Sequence, residues 1–428
     1  PVGGGAAAHG LLHICANTSR LLLVASVALV AACSLNGPPT PQTGPEFGNP
    51  SDGANEQQPR QGPAAGQPRR IALLLPLGAE GQTQAIAASL RQAAELALFE
   101  LQGSNLSLIV KDTEGTAEGA TLAASSAIDA GAEIIVGPLF AAATKAASTV
   151  AQARGVPIIS LSSDQSAAGP GVHLLSFQPH QEVGRVVDYA TRQGARRFAA
   201  LIPKSSYGDV VETAFRGAVA SAGGTIVRSE RYQPGANSML ETSQALFEAV
   251  SGRGEQAPLA VDAIFIPGDA STLPAIAPIL RYTGIDGANM RLLGTGGWDF
   301  RELGQTRSFV GGLYAAPDPA AWAQFTERFA AAYGSAPPRV ATLAYDAMQI
   351  VAAIARQLGT GQRFEISMLR RPAGFAGVDG PVRFLANGLT ERGLAILEVQ
   401  DFGAMVRERA PAGFNTLGAH TDAGSGRL

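Results

Sequence analysis

The stretch IIVGPLFAAATKAASTVAQARGVPIISLSSD, residues 134–164, contains one complete strand, helix and strand. The β-branched run Ile134–Val136 stops at a Gly-Pro pair, and a second apolar run, 156–159, stops in a serine-rich loop. The Ala-rich segment between them is typical of a helix, so the two strands are predicted to be parallel. Because ligands of open α/β sheets lie beyond the carboxyl ends of the strands, we expect loops 137–142 and 160–164 to line a binding cleft.

The composition excludes some classes of function. The chain has 428 residues, of which 46% are hydrophobic, and its net charge of -3 gives no electrostatic basis for binding nucleic acid. The two cysteines, Cys15 and Cys33, both lie near the N-terminus, so the body of the chain can form neither a disulfide nor a cysteine-based metal site. We therefore predict no metal and no cofactor.

The N-terminal segment is predicted to be a signal peptide. Residues 21–32, LLLVASVALVAA, are too short to span a bilayer and end in small residues. The sequence VAAC at 30–33 resembles the bacterial lipobox, which implies cleavage before Cys33 and lipidation of its thiol. The alternative is an ordinary secretory cleavage site followed by a chance cysteine.

Residues 34–69 are predicted to form a flexible tether. They are rich in Pro, Gly, Gln and Asn and almost free of aliphatic side chains, and such a segment reaches roughly 30 Å. A lipid on Cys33 would thus hold a folded body at the periplasmic side of a membrane. Ser34 follows the cysteine where an Asp retains enteric lipoproteins in the inner membrane, so the outer membrane is favoured.

The body alternates between strand and helix patterns, which predicts an α/β fold with doubly wound parallel sheets. Two such series follow each other, and two helical segments near 325–333 and 340–358 are predicted to return to the first. A terminal hairpin is predicted from 382–384 and 395–399. The predicted strands of the two series are 71–75, 106–111, 134–136, 156–159, 172–177, 198–203, 225–232, 263–267, 291–294 and 312–315.

Six short motifs carry a family resemblance: RIALLLPL at 70–77, IIVGPL at 134–139, VPIIS at 156–160, YG at 207–208, GPVRF at 380–384 and NG at 387–388. Their order and spacing resemble the leucine/isoleucine/valine-binding type of periplasmic protein. The resemblance implies a type I periplasmic-binding-protein fold, in which two lobes clamp a ligand and three crossover strands join them. These crossovers are expected near 174–177, 313–316 and 377–384. The implied division is lobe 1 at 70–180 and 317–376, lobe 2 at 181–316 and 377–402, and a C-terminal tail at 403–428.

The resemblance also implies ligand contacts. Tyr207 matches a tyrosine that closes over the ligand, and the amides of Ala141 and Ala142 match a helix N-terminus that faces the ligand carboxylate. Ala141 stands where amino-acid binders of the family have a hydroxyl. The family's ammonium-binding acid falls in 293–297, where this chain has no carboxylate.

Two acids are the nearest candidates to replace the missing carboxylate, namely Asp299 and Asp164, the latter near a position that is usually Thr. Trp298 follows a glycine pair, and an aromatic there either stacks on a ligand or caps the core. The remaining candidates are the serines of the predicted strand exit, Ser160, Ser162 and Ser163.

A second set of motifs, RFAALIP at 197–203, AF at 214–215 and DAIFIP at 262–267, is similar to the penicillin-binding-protein activators. These are outer-membrane lipoproteins that contact a peptidoglycan synthase, and the resemblance implies such a partner. The alternative is a solute receptor that serves an ABC permease for amino acids or related small molecules. An enzyme is not predicted, because no nucleophile-elbow, phosphate-loop or zinc-helix motif is present and the serines have no evident His or Asp partners.

Overall fold

The stretch 134–164 lies in a five-stranded parallel sheet. The structure is a computed structural model that describes residues 62–233, 236–250, 261–283, 285, 287 and 290–414. The predicted unit is confirmed, since Ile135 and Val136 pair in parallel with Ile158 and Ile159. The sheet order is β2-β1-β3-β4-β5. Its elements are β1 (Arg69–Leu75), α1 (Gly81–Glu100), β2 (Leu106–Asp112), α2 (Ala117–Asp129), β3 (Ile134–Val136), α3 (Ala141–Ala153), β4 (Ile158–Ser160) and β5 (Val172–Leu174).

Helices cover both faces of this sheet. Because side chains alternate along a strand, Ile71, Leu73 and Leu75 of β1 pack with α1, whereas Ala72 and Leu74 pack with α2 and α3. All five side chains are fully buried. A strand buried on both faces requires a continuous apolar sequence, which explains why the first strand was predictable.

A second series of strands and helices forms a larger sheet. Strands β6, β7, β8, β9 and β10 run parallel to one another. Helix α4 and helix α5 pack on one face, and α6 and α7 pack on the other. The elements are α4 (Pro179–Arg192), β6 (Arg197–Pro203), α5 (Ser206–Ser221), β7 (Thr225–Tyr232), α6 (Ala236–Val250), β8 (Ala263–Phe265), α7 (Leu273–Thr283), β9 (Arg291–Gly294) and β10 (Leu313–Ala316).

The chain then returns to the first core before it ends in the second sheet. Phe325, Phe329 and most of the next long helix pack against β1 and α1. The last two strands complete a seven-stranded sheet in the order β14-β13-β10-β9-β8-β6-β7. The elements are α8 (Pro319–Tyr333), α9 (Ala341–Ala355), α10 (Ile366–Leu369), β11 (Val382–Phe384), β12 (Thr390–Arg392), β13 (Ala395–Val399) and β14 (Ala404–Glu408). The two large α/β sheets, accompanied by a two-stranded sheet of β11 and β12, confirm the predicted fold class.

The predicted terminal hairpin is wrong. β11 pairs with β12 through the Asn387-Gly388 turn, whereas β13 pairs with β10 and β14. An Asn-Gly turn favours a local hairpin, so β11 takes the nearer partner. Since β11 lies in the first core and Leu394 lies in the second, the third crossover follows β12, later than the expected 377–384.

Some predictions concern residues at the two ends of the body. The signal peptide, Cys33, and residues 34–61 of the tether lie outside the described residues, as does 415–428. Residues 404–408, which the sequence prediction places in the tail, form β14. The division of the chain between lobes stays a prediction.

Arg69 fixes the start of the first strand. Its buried guanidinium donates to the Glu133 carboxylate at 2.8 Å and to the carbonyls of Gln362 and Gly359 at 2.9 Å each. This point lies at the amino end of β1, and the strand exits lie at the opposite edge of the same sheet. The end of the predicted tether is therefore attached to the first lobe away from the cleft.

Gly137 offers a test of the strand exit after β3. Its φ is +91°, and a Cβ added there would lie 2.1 Å from the Leu74 carbonyl oxygen. We expect Gly137→Ala to lower the free energy of unfolding by roughly 3 kcal/mol or more, because left-handed strain and a backbone clash add together. Gly155→Ala is the matched control, since Gly155 has a φ of +62° with no other atom within 4 Å of the added Cβ. Urea unfolding of both variants measures the difference, and equal losses would contradict the close approach.

Candidate functional site

Two of the three serines at the β4 exit form hydrogen bonds within the protein. The Ser160 hydroxyl is fully buried, lies 2.8 Å from the Thr144 hydroxyl and accepts the Ser162 amide at 3.2 Å. Ser162 is also buried, and its hydroxyl accepts the Asp164 amide. Ser163, between Ser162 and Asp164, is exposed. Ser160 thus holds the loop against helix α3, and Ser162 stabilises the turn of the loop itself.

Asp164, Ala141 and Ala142 lie on the outer part of the same edge. The Asp164 carboxylate caps the short 3-10 helix Gln165–Ala167 by accepting the Ser166 amide at 2.9 Å. This hydrogen bonding with Ser166 lowers the pKa of Asp164. Ala141 and Ala142 are the first residues of α3, and no side chain caps that helix. The backbone N–H groups of its first turn, at the positive end of the helix dipole, are therefore available to an anion.

Tyr207 belongs to the facing edge of the second lobe. It is the second residue of α5, and its hydroxyl lies 2.8 Å from the hydroxyl of Thr295, directly after β9. Burial raises the pKa of Tyr207 to about 12, with a smaller contribution from Glu182. Tyr207 is therefore a neutral hydrogen-bonding group next to the exit of β9.

Trp298 lies in the core of the second lobe. The side chain is 1% exposed, its indole N–H donates to the Ile266 carbonyl at 2.9 Å, and its ring meets Phe309 edge-on at 5.1 Å. Of the two alternatives for this residue, the geometry corresponds to the one in which it caps the core.

A cavity of about 420 Å³ lies between the two lobes, close to the first two crossovers. Helix α4 and the β9 exit contribute the wall on the second lobe, and α8 contributes the wall on the first. Asp299 is the sequence-predicted candidate that lines it. The lining residues are Phe177, Glu182, Gly296, Asp299, Ala316, Pro317, Pro319, Trp322 and Arg339.

Glu182 is a site residue that the sequence did not reveal. Its carboxylate accepts the Gly296 amide at 2.9 Å, a contact between residues 114 positions apart. Burial raises the pKa of Glu182 to about 7, and the nearby Asp299 carboxylate acts in the same direction. In the sequence, this acid follows Pro179 in the first turn of a helix, which already explains a carboxylate there.

Asp299 and Arg339 form a contact across the cavity. The Asp299 carboxylate accepts the Tyr314 hydroxyl at 3.1 Å, and its second oxygen lies 3.5 Å from an Arg339 nitrogen. Arg339 also donates to the fully buried Asp379 at 3.0 Å and stacks over the Trp322 ring at 4.6 Å. Asp299 stays accessible from the cavity, and desolvation by the cavity wall raises its pKa while Arg339 opposes that shift.

No helix in the described part of the chain is both long and apolar enough to cross a membrane. Among those same residues, no group of three or more His, Cys, Asp or Glu side chains has an arrangement that could hold a metal ion.

Two α/β lobes with a cavity between them, lined by charged and apolar side chains, define a two-lobed ligand-binding protein. The family model for periplasmic binding proteins matches residues 68–404. The chain belongs to the periplasmic binding protein family. No curated protein matches it.

Solved structures share this fold at low sequence identity. An ABC transporter substrate-binding protein from Sphaerobacter thermophilus is 20% identical with a TM-score of 0.63, covering 81% of this chain and 98% of its own. A Leu complex of such a protein from Desulfitobacterium hafniense is 21% identical with a TM-score of 0.57, covering 79% and 100%. A solute-binding protein from Rhodopseudomonas palustris, in complex with 3,4-dihydroxy benzoic acid, is 17% identical with a TM-score of 0.54, covering 80% and 98%.

The half-buried, desolvated Glu182 carboxyl predicts a pH dependence of stability. In the unfolded chain it ionises near its ordinary value of 4.5, whereas in the folded protein it keeps its proton to about 7. The folded state therefore binds more protons between these values, and the contribution of this group to stability falls as the pH rises through that window. Glu182→Gln keeps an acceptor for the Gly296 amide but cannot ionise.

We expect the stability of Glu182→Gln relative to wild type to increase by roughly 2 kcal/mol between pH 5 and pH 8. Urea unfolding across this range measures the difference. Asp188→Asn, an exposed carboxylate on the same helix, controls for the loss of a surface charge. A difference between Glu182→Gln and wild type that stays constant with pH would contradict the raised pKa of this carboxyl.

Proposed function

We propose that this protein is a lipid-anchored periplasmic binding protein that holds a small solute between its lobes and passes it to an ABC permease. The observation that carries the proposal is the cavity, because charged residues from both lobes line it: Glu182 and Asp299 on one side, Arg339 on the other. A solute that contacts both walls stabilises the closed arrangement of the lobes, which is how such a protein signals that it is loaded.

The binding role involves no catalysis. The Ser160 hydroxyl contacts Thr144 and the Pro138 carbonyl, and neither group is a base that would activate a nucleophile. The solved structures that share this fold support a receptor for amino acids or related small molecules, since two of them hold Leu and 3,4-dihydroxy benzoic acid. The cleft candidates Ala141, Ala142 and Tyr207 supply further contacts as the lobes close.

A solute screen tests this function. A cognate solute at 100 times its Kd should raise the Tm by on the order of 5 °C, because it binds the folded state alone. Asp299→Asn and Trp322→Ala should reduce this shift, whereas Asp188→Asn, outside the cavity, should keep it. Small-angle scattering with the same solute should show closure of the lobes. No Tm shift with any amino acid, amine or aromatic acid, together with unchanged scattering, would reject a solute receptor.

The lipobox and the tether favour a second candidate function, activation of a peptidoglycan synthase. VAAC at 30–33 and the polar segment 34–69 give a lipid-held body with a reach of roughly 30 Å, which suits contact with a partner across the periplasm. The motifs shared with penicillin-binding-protein activators, at 197–203 and 262–267, support the same role. In this role the protein acts from the outer membrane.

If the second function is right, the mature chain should bind a penicillin-binding protein in a pulldown and raise its glycan-polymerisation or cross-linking rate. In cells, Cys33→Ser should move the protein from the membrane to the soluble fraction and abolish the activation. Absence of both binding and rate enhancement would exclude this function and leave the solute receptor.

A further inference from the structure

Once Glu182 is ionised, above a pH of about 7, the cavity wall carries an excess of negative charge. Glu182 and Asp299 face it with carboxylates, and Arg339 is the cation among its lining residues. Arg339 already forms an ion pair at 2.9 Å with Asp379, which is fully buried behind it. Arg339 is shared between Asp379 and Asp299, at 2.9 and 3.5 Å, and Glu182 forms no ion pair with it. The ionised carboxylates at the cavity therefore outnumber the cation that faces them.

The carboxylate oxygens are placed to receive a donor. One oxygen of Glu182 accepts the Gly296 amide, and the other oxygen, Oε1, has no hydrogen-bond partner among the described residues. Asp299 is held from behind by the Tyr314 hydroxyl at 3.1 Å. Its contact with Arg339, at 3.5 Å, is long for a charge-assisted hydrogen bond. Both side chains are therefore fixed by the second lobe while an acceptor position stays available.

The rest of the wall suits a hydrocarbon body. Phe177, Trp322 and three small or cyclic residues, Ala316, Pro317 and Pro319, supply apolar surface next to the two acids. The Trp322 ring is held in place by Arg339, and the Phe177 ring is held in place by Arg392 at 5.3 Å. Rigid aromatic walls with a few placed polar groups are typical of small-molecule sites.

From this geometry we propose that the solute is an organic cation, a protonated amine or guanidine on an apolar body, with Glu182 as its main counter-ion and Asp299 as the second. This inference rests on the proposed solute-binding function and specifies its ligand class. A cation supplies the missing counter-charge, whereas an anion meets two carboxylates. A zwitterion needs a cationic partner for its own carboxylate, and Arg339 is already engaged by Asp379.

The class is tested with probes that differ in charge alone. 3-Methylbutylamine, L-leucine and 4-methylpentanoate share one branched hydrocarbon and carry a cation, a zwitterion and an anion. Phenethylamine, L-phenylalanine and 3-phenylpropanoate form the same series on an aromatic body. Calorimetric titration at pH 8, where the amines are protonated, should give at least tenfold tighter binding of the amine than of the other two in at least one series.

Variants assign the counter-ions. Glu182→Gln should weaken amine binding at least tenfold, and Asp299→Asn should weaken it less, while Asp188→Asn should leave it unchanged. Thermal melts check that each variant is folded, and both cavity variants keep the acceptor that their internal hydrogen bonds need.

The outcomes separate this inference from the function on which it rests. Tighter binding of leucine, phenylalanine or either carboxylate than of the amine overturns the cation assignment and leaves the solute receptor intact. Amine binding that is unaffected by Glu182→Gln overturns the role of that residue. If no probe binds and no solute closes the lobes, both the ligand class and the receptor function are rejected.

Discussion

Parallel pairing of neighbouring strands is the constraint on which the rest of this structure depends. Parallel strands require a crossover after each strand, so their exits collect at one edge of the sheet. In this chain, the exits of β3 and β4 lie on one lobe, and those of β6 and β9 lie on the other. The backbone passes between lobes at the ends of β5 and β10 and again after β12. The cavity lies beside the first two of these passages.

Buried charged side chains lie close to the crossovers between the lobes. Arg339 pairs with Asp379, and Arg392 lies 3.6 Å from Asp346, with both of the latter side chains almost completely buried. Gln181 connects the start of α4 to this region by accepting the Arg392 amide at 2.8 Å. Desolvation offsets much of the attraction in buried ion pairs, so we interpret these groups as fixing how the passages are arranged rather than as a large source of stability.

The sequence predicted the strands more reliably than the contacts between them. The runs at 71–75 and 134–136 are continuous and apolar because both faces of those strands are buried, and few other structures accommodate such runs. The pairing of β11 depended on a turn, Asn387-Gly388, that was visible in the sequence but competed with a second plausible partner. Strand type is a local property, whereas partner choice is not.

The candidate site shows the same division. Asp299 was predicted because it is one of the acids nearest to 293–297, where the family resemblance places a carboxylate, and it reaches the cavity because this segment follows β9. Glu182 could not be found in this way, because its role depends on a contact with Gly296, distant in sequence, and a helix start explained it equally well. The position of Trp298 depended on where the Ile266 carbonyl lies, which no local pattern encodes.

The attachment at Arg69 has a mechanical consequence for an anchored protein. The hydrogen bonds of its guanidinium to Glu133, Gln362 and Gly359 all end on the first lobe, at the amino edge of its sheet. Under the proposed lipid anchor, any pull from the membrane enters through this point and bypasses the second lobe. The second lobe can then swing without working against the tether, so tension in the anchor and opening of the cleft are mechanically independent.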